Sequence, residues 1–549
     1  MIWANPIFRR YCRSRLRVKG LGLTMIITLI IATFIFFSTR TMAGYRMDME
    51  MIDSERTPLV PLLVVQWILL FLFGTGQCAG GMTTEAEEGV LDYQRLAPMT
   101  PLAKVFGYLF GLPIREWVCF LATLPFTLWC LWRGQVDLVA AGAVFAVVIS
   151  SAILYHLTGL VAGTVVKNRR RAFLASMGLV FVLYLLMPQI ARFGFVQFQY
   201  LTALPTLAEA GPAGLPRTEG AALATAQALI DPESRPFGLN LPDWGFTLIT
   251  QAVVSLTLIV MLWRRWRRNE SHLLGKTWAT GLFAAIQVGL IGNALPLVDS
   301  GRIFPSREMM RRYRMFEGWE PDSSEAIIMV AVVVLMSLAI LWIFTAMISP
   351  SFDTQIRGWR RVKKLGRTRL LVGSDPTTGF GWTLIMALCG AVGSIWFAKG
   401  IIESHWFPGA TVPWQAMLAI LLVMITGGIG FQAMLEGRGK KTIVLTALFV
   451  GIVPVLIAVV MAARDDTLTT PAVWIGSLSP LLAPFLAASF IDIEGLPIEV
   501  TRVAPLAFYF WQLVGILVTI KLALGLRKKR AEVAAIASRP GTTAELTDS

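Results

Sequence analysis

The stretch AIIMVAVVVLMSLAILWIFTAMI (326–348) carries no charged residue, and as an α-helix it is long enough to cross the roughly 30 Å hydrocarbon core of a bilayer. Eleven further runs are similarly apolar, with Lys399 and Lys521 their only charged residues, at about 21–38, 59–80, 117–132, 138–166, 172–191, 244–263, 277–297, 382–401, 414–435, 442–462 and 505–526. Hydrophobic residues make up 55% of the 549 and charged residues 15%, with a mean hydropathy of +0.65. That much apolar surface cannot hide in a water-soluble core. The expected fold is all-α, a polytopic integral membrane protein with about twelve transmembrane helices. A cleaved signal peptide at 21–37 is the weaker reading, because the basic stretch before it is long and the apolar run nearly spans.

The net charge of +15 does not point to nucleic acid, since Lys and Arg sit in short clusters beside apolar runs and not on one soluble domain. Those clusters are topology signals. With the N-terminus inside, the cytoplasmic segments are 9–19, 95–115, 167–171, 264–276, 357–369, 438–441 and 527–539, holding about two thirds of all Lys and Arg. Both termini are then cytoplasmic. One outer loop dissents: 301–325 carries Arg302, Arg307, Arg311, Arg312 and Arg314 against Glu308, Glu317, Glu320 and Asp322, and reads as a folded surface helix.

The run 472–490 is apolar but broken by Pro480 and Pro484, and spanning would place Arg527 to Arg530 outside. It reads as a re-entrant segment, with the long outer segment 192–243 as its earlier counterpart. Both precede the last helix of a set of six. The chain is therefore expected to be a 6+6 arrangement: residues 1–20 an amphipathic helix, 21–268 a first six-helix unit, 269–530 a second that reads as a divergent repeat, and 531–549 a disordered tail. Thr158-Gly159 and Thr426-Gly427 recur near the end of one span in each half, each followed by a basic turn.

Catalytic motifs are scarce. His156, His272 and His405 are far apart, and the five cysteines form no CxxC pair, so neither a metal site nor a disulfide framework is legible. Gly275-Lys276-Thr277 resembles the end of a P-loop, but Glu270 stands where its first glycine belongs. Ser477 and Ser479 lack a nucleophile-elbow spacing and read as a turn. The spans hold almost no titratable residue: His156 lies within one and Lys399 and Lys521 near helix ends, while Gln66, Gln77, Gln251, Gln287, Gln432 and Gln512 are polar but do not titrate. A carrier driven by a proton gradient would need charge inside the bilayer, so the energy source is expected outside it.

One cytoplasmic segment stands apart: TEAEEGVLDYQRLAPMTPLAKVFG (84–107), between spans two and three. Glu85, Glu87 and Glu88 would begin a short helix, favoured by its N-terminal dipole, and Pro98 and Pro101 would end it. From the residues alone it is either a handle for a partner or a solvated loop.

Within this segment EAEEGVLDYQRLAPMTPL resembles the connection between helices two and three in permeases of the ABC-2 type, at Glu85, Glu87 or Glu88, Gly89, Leu91, Asp92, Arg95, Pro98, Pro101, Leu102 and Gly107. The resemblance implies a coupling helix, within a segment 82–116, that rests in a groove of a separate ATP-binding subunit. That subunit would bind ATP and Mg, leaving this chain without cofactor or catalytic residues. The family implies export, a bacterial inner membrane, and a second copy of the chain as a further partner beside the lipid bilayer. NPIFRRYCRSRLR (5–17) looks like the family's interface helix: Trp3, Ile7 and Tyr11 recur at i, i+4 with Phe8 beside them, while Arg9, Arg10, Arg13 and Arg17 could face lipid phosphates. The resemblance covers 1–268. Beyond it, the loop 349–381 is basic where its counterpart is acidic. A membrane scaffold or assembly factor without transport, and a proton-coupled carrier, are the competing readings.

Overall fold

The computed structural model describes residues 2–45, 51–214, 236–268, 271–305, 315, 321–367, 370–438, 440–464, 466–492 and 498–538. Among them no strand forms, and twelve helices are long and apolar enough to cross a membrane. In chain order these spans are Val18–Gly44, Met51–Glu87, Ile114–Arg133, Leu138–Val165, Arg169–Ala191, Asp243–Arg267, Lys276–Asp299, Ser323–Ile348, Phe380–Ile402, Trp414–Gly437, Thr442–Arg464 and Val500–Ala537. The chain is an all-α, multi-pass integral membrane protein. Most of the dissenting loop, including Arg307, Arg311, Arg312 and Arg314, lies outside the described residues.

The chain divides into two compact units that change over at Asn269 and Glu270, the short pieces Phe193–Phe195 and Pro236–Gly238 belonging to the second. In the first unit span 1 packs on span 3, span 2 on spans 4 and 5, and span 4 on span 6. In the second, span 7 packs on span 9, span 8 on spans 9 and 10, and span 10 on span 12. Each unit thus pairs its first helix with its third, its second with its fourth and its fourth with its sixth. The fifth helix is peripheral in both, with only 17% of its apolar window buried against 50% for each unit's second helix.

Small residues set the closest of these contacts. Gly159 and Gly163, one turn apart, lie against the Thr75 and Ala79 carbonyls of span 2, where a Cβ would have no room. Gly427 occupies the matching place in the second unit, against Leu338 of span 8, and its carbonyl accepts the Trp342 indole N–H at 3.0 Å. Four of the six glutamines expected within the spans act as fasteners. Gln66 donates to Thr123 and Thr127 of span 3, Gln251 to Ser151 of span 4 and Gln287 to Ser337 of span 8, while Gln512 accepts from Thr426 of span 10. An unpaired amide in hydrocarbon is costly, so each is spent on a neighbouring helix instead of lining a path.

Two spans contain a π-helical segment, Ile68–Gly74 and Ala447–Ile452. A π segment loosens the carbonyl ladder and frees an acceptor. His156 Nε2 lies 2.9 Å from the Leu70 carbonyl and the Ser479 hydroxyl donates to the Gly451 carbonyl at 2.6 Å. The re-entrant regions are short helices rather than spans: Val196–Leu201 and Leu204–Gly214 in one unit, Thr469–Gly476 and Ala483–Ser489 in the other. At the C-terminus the last helix, Ile498–Ser538, continues through part of the region expected to be disordered, and 539–549 lie outside the described residues.

Candidate functional site

The acidic segment begins as the end of span 2, not as a new helix. The span helix runs without a break through Glu87, and Glu88 is its C-cap. Gly89 then takes φ +70, a left-handed conformation that stops the helix without a Cβ clash, and its N–H bonds to the Ala86 carbonyl. A separate short helix, Val90–Leu96, follows with Asp92 in its first turn and Arg95 in its last. It ends because Ala97 is held extended ahead of Pro98. Pro101 has a different role from the one expected: it is the first residue of the next helix, Pro101–Gly111, behind the N-cap Thr100. Glu85 and Glu87 thus sit where a helix dipole is negative, and other charges must compensate.

For Glu85 they do. The residue is buried, 8% exposed, and its carboxylate gathers three partners from two other helices. Oε1 accepts the Tyr11 hydroxyl at 2.6 Å and pairs with the Arg10 guanidinium, while Oε2 accepts the Tyr108 hydroxyl at 2.8 Å. The Tyr108 oxygen is also 2.6 Å from the Gln94 side-chain amide of the short helix. Burial, reinforced by the Glu85 charge, pushes the Tyr11 and Tyr108 phenols well above their ordinary range, so both remain neutral donors. Tyr108 stacks on Trp266 at the end of span 6, with centroids 5.5 Å apart, and the Lys104 ammonium lies over the other part of that aromatic pair, 5.7 Å from the Trp266 ring. Lys104 also donates to the Arg95 and Ala97 carbonyls, capping the short helix.

The N-terminal helix that supplies Arg10 and Tyr11 is shorter than 1–20, running Pro6–Arg15. Asn5 caps it, accepting from the Ile7 and Phe8 N–H groups, and its own amide donates to the Ala103 carbonyl at 2.6 Å. Ile7, Phe8 and Tyr11 are buried. Gly107 and Gly111 admit this helix: a Cβ on the first would meet Asn5 and Ile7, and on the second Tyr11. Trp3 does not join the apolar face; it is 75% exposed, ahead of the helix, edge-on to Phe8. Arg9, Arg13 and Arg17 are exposed along an open groove of about 470 Å³ that also includes Pro6 and Arg10.

Glu87, Glu88 and Asp92 are exposed, as are Tyr93 at 79% and Leu96 at 85%; Arg95 pairs with Asp92. The span end and the short helix together therefore present three acidic residues, with Tyr93 and Leu96 bare beside them. Beside the short helix a cavity of about 110 Å³ is lined by Met82, Asp92, Arg95, Thr164, Arg265 and Trp266. Sequence reading missed Tyr108, Gln94, Lys104 and Trp266. Only Asn5-Pro6, a cap followed by a first-turn proline, carried a local signal.

The second unit has its own buried carboxylate. Glu436, near the end of span 10, has a fully buried side chain paired with Arg530 of the last helix, and accepts from Gln432 at 2.8 Å. Arg530 also donates to Thr378 at 2.9 Å, and Lys276 donates to the Ser374 carbonyl at 2.8 Å and the Thr377 hydroxyl at 2.6 Å. These bonds fix the turn 374–378. No family model, curated protein or solved structure matches the chain.

Proposed function

We propose that this chain is the membrane-spanning permease component of an ATP-driven transporter of the ABC-2 type, an exporter powered by a separate cytoplasmic ATP-binding subunit. The observation that carries this reading is the division of labour in the acidic segment. Glu85, at the end of span 2, faces inward and binds the N-terminal helix and Tyr108, which stacks on Trp266 at the end of span 6. Glu87, Glu88, Asp92, Tyr93 and Leu96 face outward. A load applied to the outer face is passed by the Glu85 cluster to two span ends at once, which is what a coupling element requires. Gln66, Gln251, Gln287 and Gln512 are engaged within the bundle, consistent with work done from outside the membrane.

Purification of the tagged chain from its native membrane tests this. An ATP-binding subunit should come with it, and Glu87→Lys with Glu88→Lys should release that subunit without unfolding the chain. If no such subunit is ever recovered, or the double reversal leaves it bound, the permease reading fails. Transport that survives ATP depletion but collapses with the proton gradient would favour a proton-coupled carrier.

A further inference from the structure

The loop between spans 8 and 9 begins with a helix, Phe352–Lys364, capped by Ser351. At about 100° per residue, Arg357, Arg360, Arg361 and Lys364 share an arc of about 100°, and Phe352, Ile356, Trp359 and Val362 share the opposite side. Ile356 is buried, and the helix packs on the last helix of the chain, Ile498–Ser538. Gly358 lets the turn 374–378 close against it, since a Cβ there would collide with Pro376. The four basic residues are exposed, as is Arg367 beyond them, and the adjoining last helix adds exposed Arg527 and Lys528. Asp353 is the one acidic residue on the helix.

Position narrows what this surface meets. The helix starts four residues after span 8 ends at Ile348, a reach of at most about 14 Å from the bilayer edge. Span 9 begins again at Phe380. Between them Leu365, Leu371 and Val372 stand 61%, 65% and 90% exposed. Bare apolar side chains beside a basic cluster at a membrane boundary match a surface where headgroup phosphates meet acyl chains. We propose that the helix Phe352–Lys364, with Leu371 and Val372 beyond it, is an anchor for anionic phospholipid headgroups, Arg360, Arg361 and Lys364 meeting the phosphates and Leu371 and Val372 entering the lipid. The anchor depends on the membrane location of the chain and not on the permease reading. It gives the second unit a lipid-bound contact in the place where the first presents its acidic helix.

The test uses the full chain in nanodiscs of phosphatidylcholine alone or with about a third phosphatidylglycerol, with backbone hydrogen exchange read across 352–372. Phosphatidylglycerol should slow exchange about tenfold at low salt, and raising the salt should remove most of that protection. Arg360→Glu/Arg361→Glu/Lys364→Glu should abolish it, and Arg360→Lys/Arg361→Lys should keep it, which separates charge from loss of folding. Equal exchange in the two lipids, or protection that survives charge reversal, would overturn the anchor. So would protection that arises only when an acidic soluble protein is added, which would make this a protein-docking face.

Discussion

Each unit has a buried carboxylate near the end of a span, Glu85 in the first and Glu436 in the second, and the two are dressed differently. In the first, Glu85 closes the second helix of its unit and is held by Arg10, Tyr11 and Tyr108. In the second, Glu436 lies near the end of the fourth helix of its unit and is held by Arg530 and Gln432. The guanidinium comes from outside the six spans in one case, from the N-terminal helix, and from near the C-terminal end of the last span helix in the other. The pattern of neighbouring helices is alike while the chemistry at the exposed loops is opposite in sign. Packing of apolar helices constrains a loop only at its ends, so its surface is free to diverge.

The largest expected break in that comparison is removal of either carboxylate. Glu436→Ala strands a partly buried guanidinium against a fully buried site, and should cost about 3–5 kcal/mol in thermal or denaturant unfolding; Glu85→Ala should cost less, because Arg10 is 43% exposed and can turn to water. Equal losses would mean that Arg10 contributes as a buried partner. Next in size, Tyr108→Phe removes a hydrogen bond to a charged acceptor and should cost about 1.5–3 kcal/mol, with Trp266 fluorescence reporting the loosened stack. A comparable or smaller cost, about 1–3 kcal/mol, is expected of Gly358→Ala, which pushes the basic helix off Pro376; exchange should rise in 352–364 and stay unchanged at Pro6–Arg15.

The smallest effect separates the hubs by pH. Tyr11 and Tyr108 have their phenol pKa raised on folding, so their contribution is fully present below the ordinary tyrosine value of about 10 and is lost as pH rises beyond it. Absorbance near the phenolate band should show Tyr11 and Tyr108 among the buried tyrosines that resist ionisation until the first unit opens. Tyr11→Phe/Tyr108→Phe should shrink that late phase by two tyrosines. Early titration of every tyrosine would contradict the Glu85 network.

Much of the fold was legible because hydropathy acts locally. Each apolar run of spanning length became a helix, and Pro480 and Pro484 marked a segment of short helices, although Pro125, Pro188 and Pro296 stand inside spanning helices, so proline alone did not decide it. The candidate site was legible only in part. The spacing of Glu85, Glu87 and Glu88 suggested three equivalent charges at a helix start, whereas one is buried and two are exposed at a helix end. Nothing near Glu85 in the chain predicts its partners, which are 74 and 23 residues away. Trp3 misled for a related reason: its spacing fits the apolar face, but Asn5 and Pro6 start the helix after it.

The sequence by itself determined that the chain is helical, lies in a membrane, crosses it about twelve times and carries one acidic segment among basic ones. Those follow from transfer free energy and charge, which add up residue by residue. Tertiary structure alone decided which carboxylates are buried, which glycines admit a neighbouring helix, and that four of the glutamines bind spans together. Each of these depends on what stands opposite a side chain, and helix packing brings together residues that no local pattern connects.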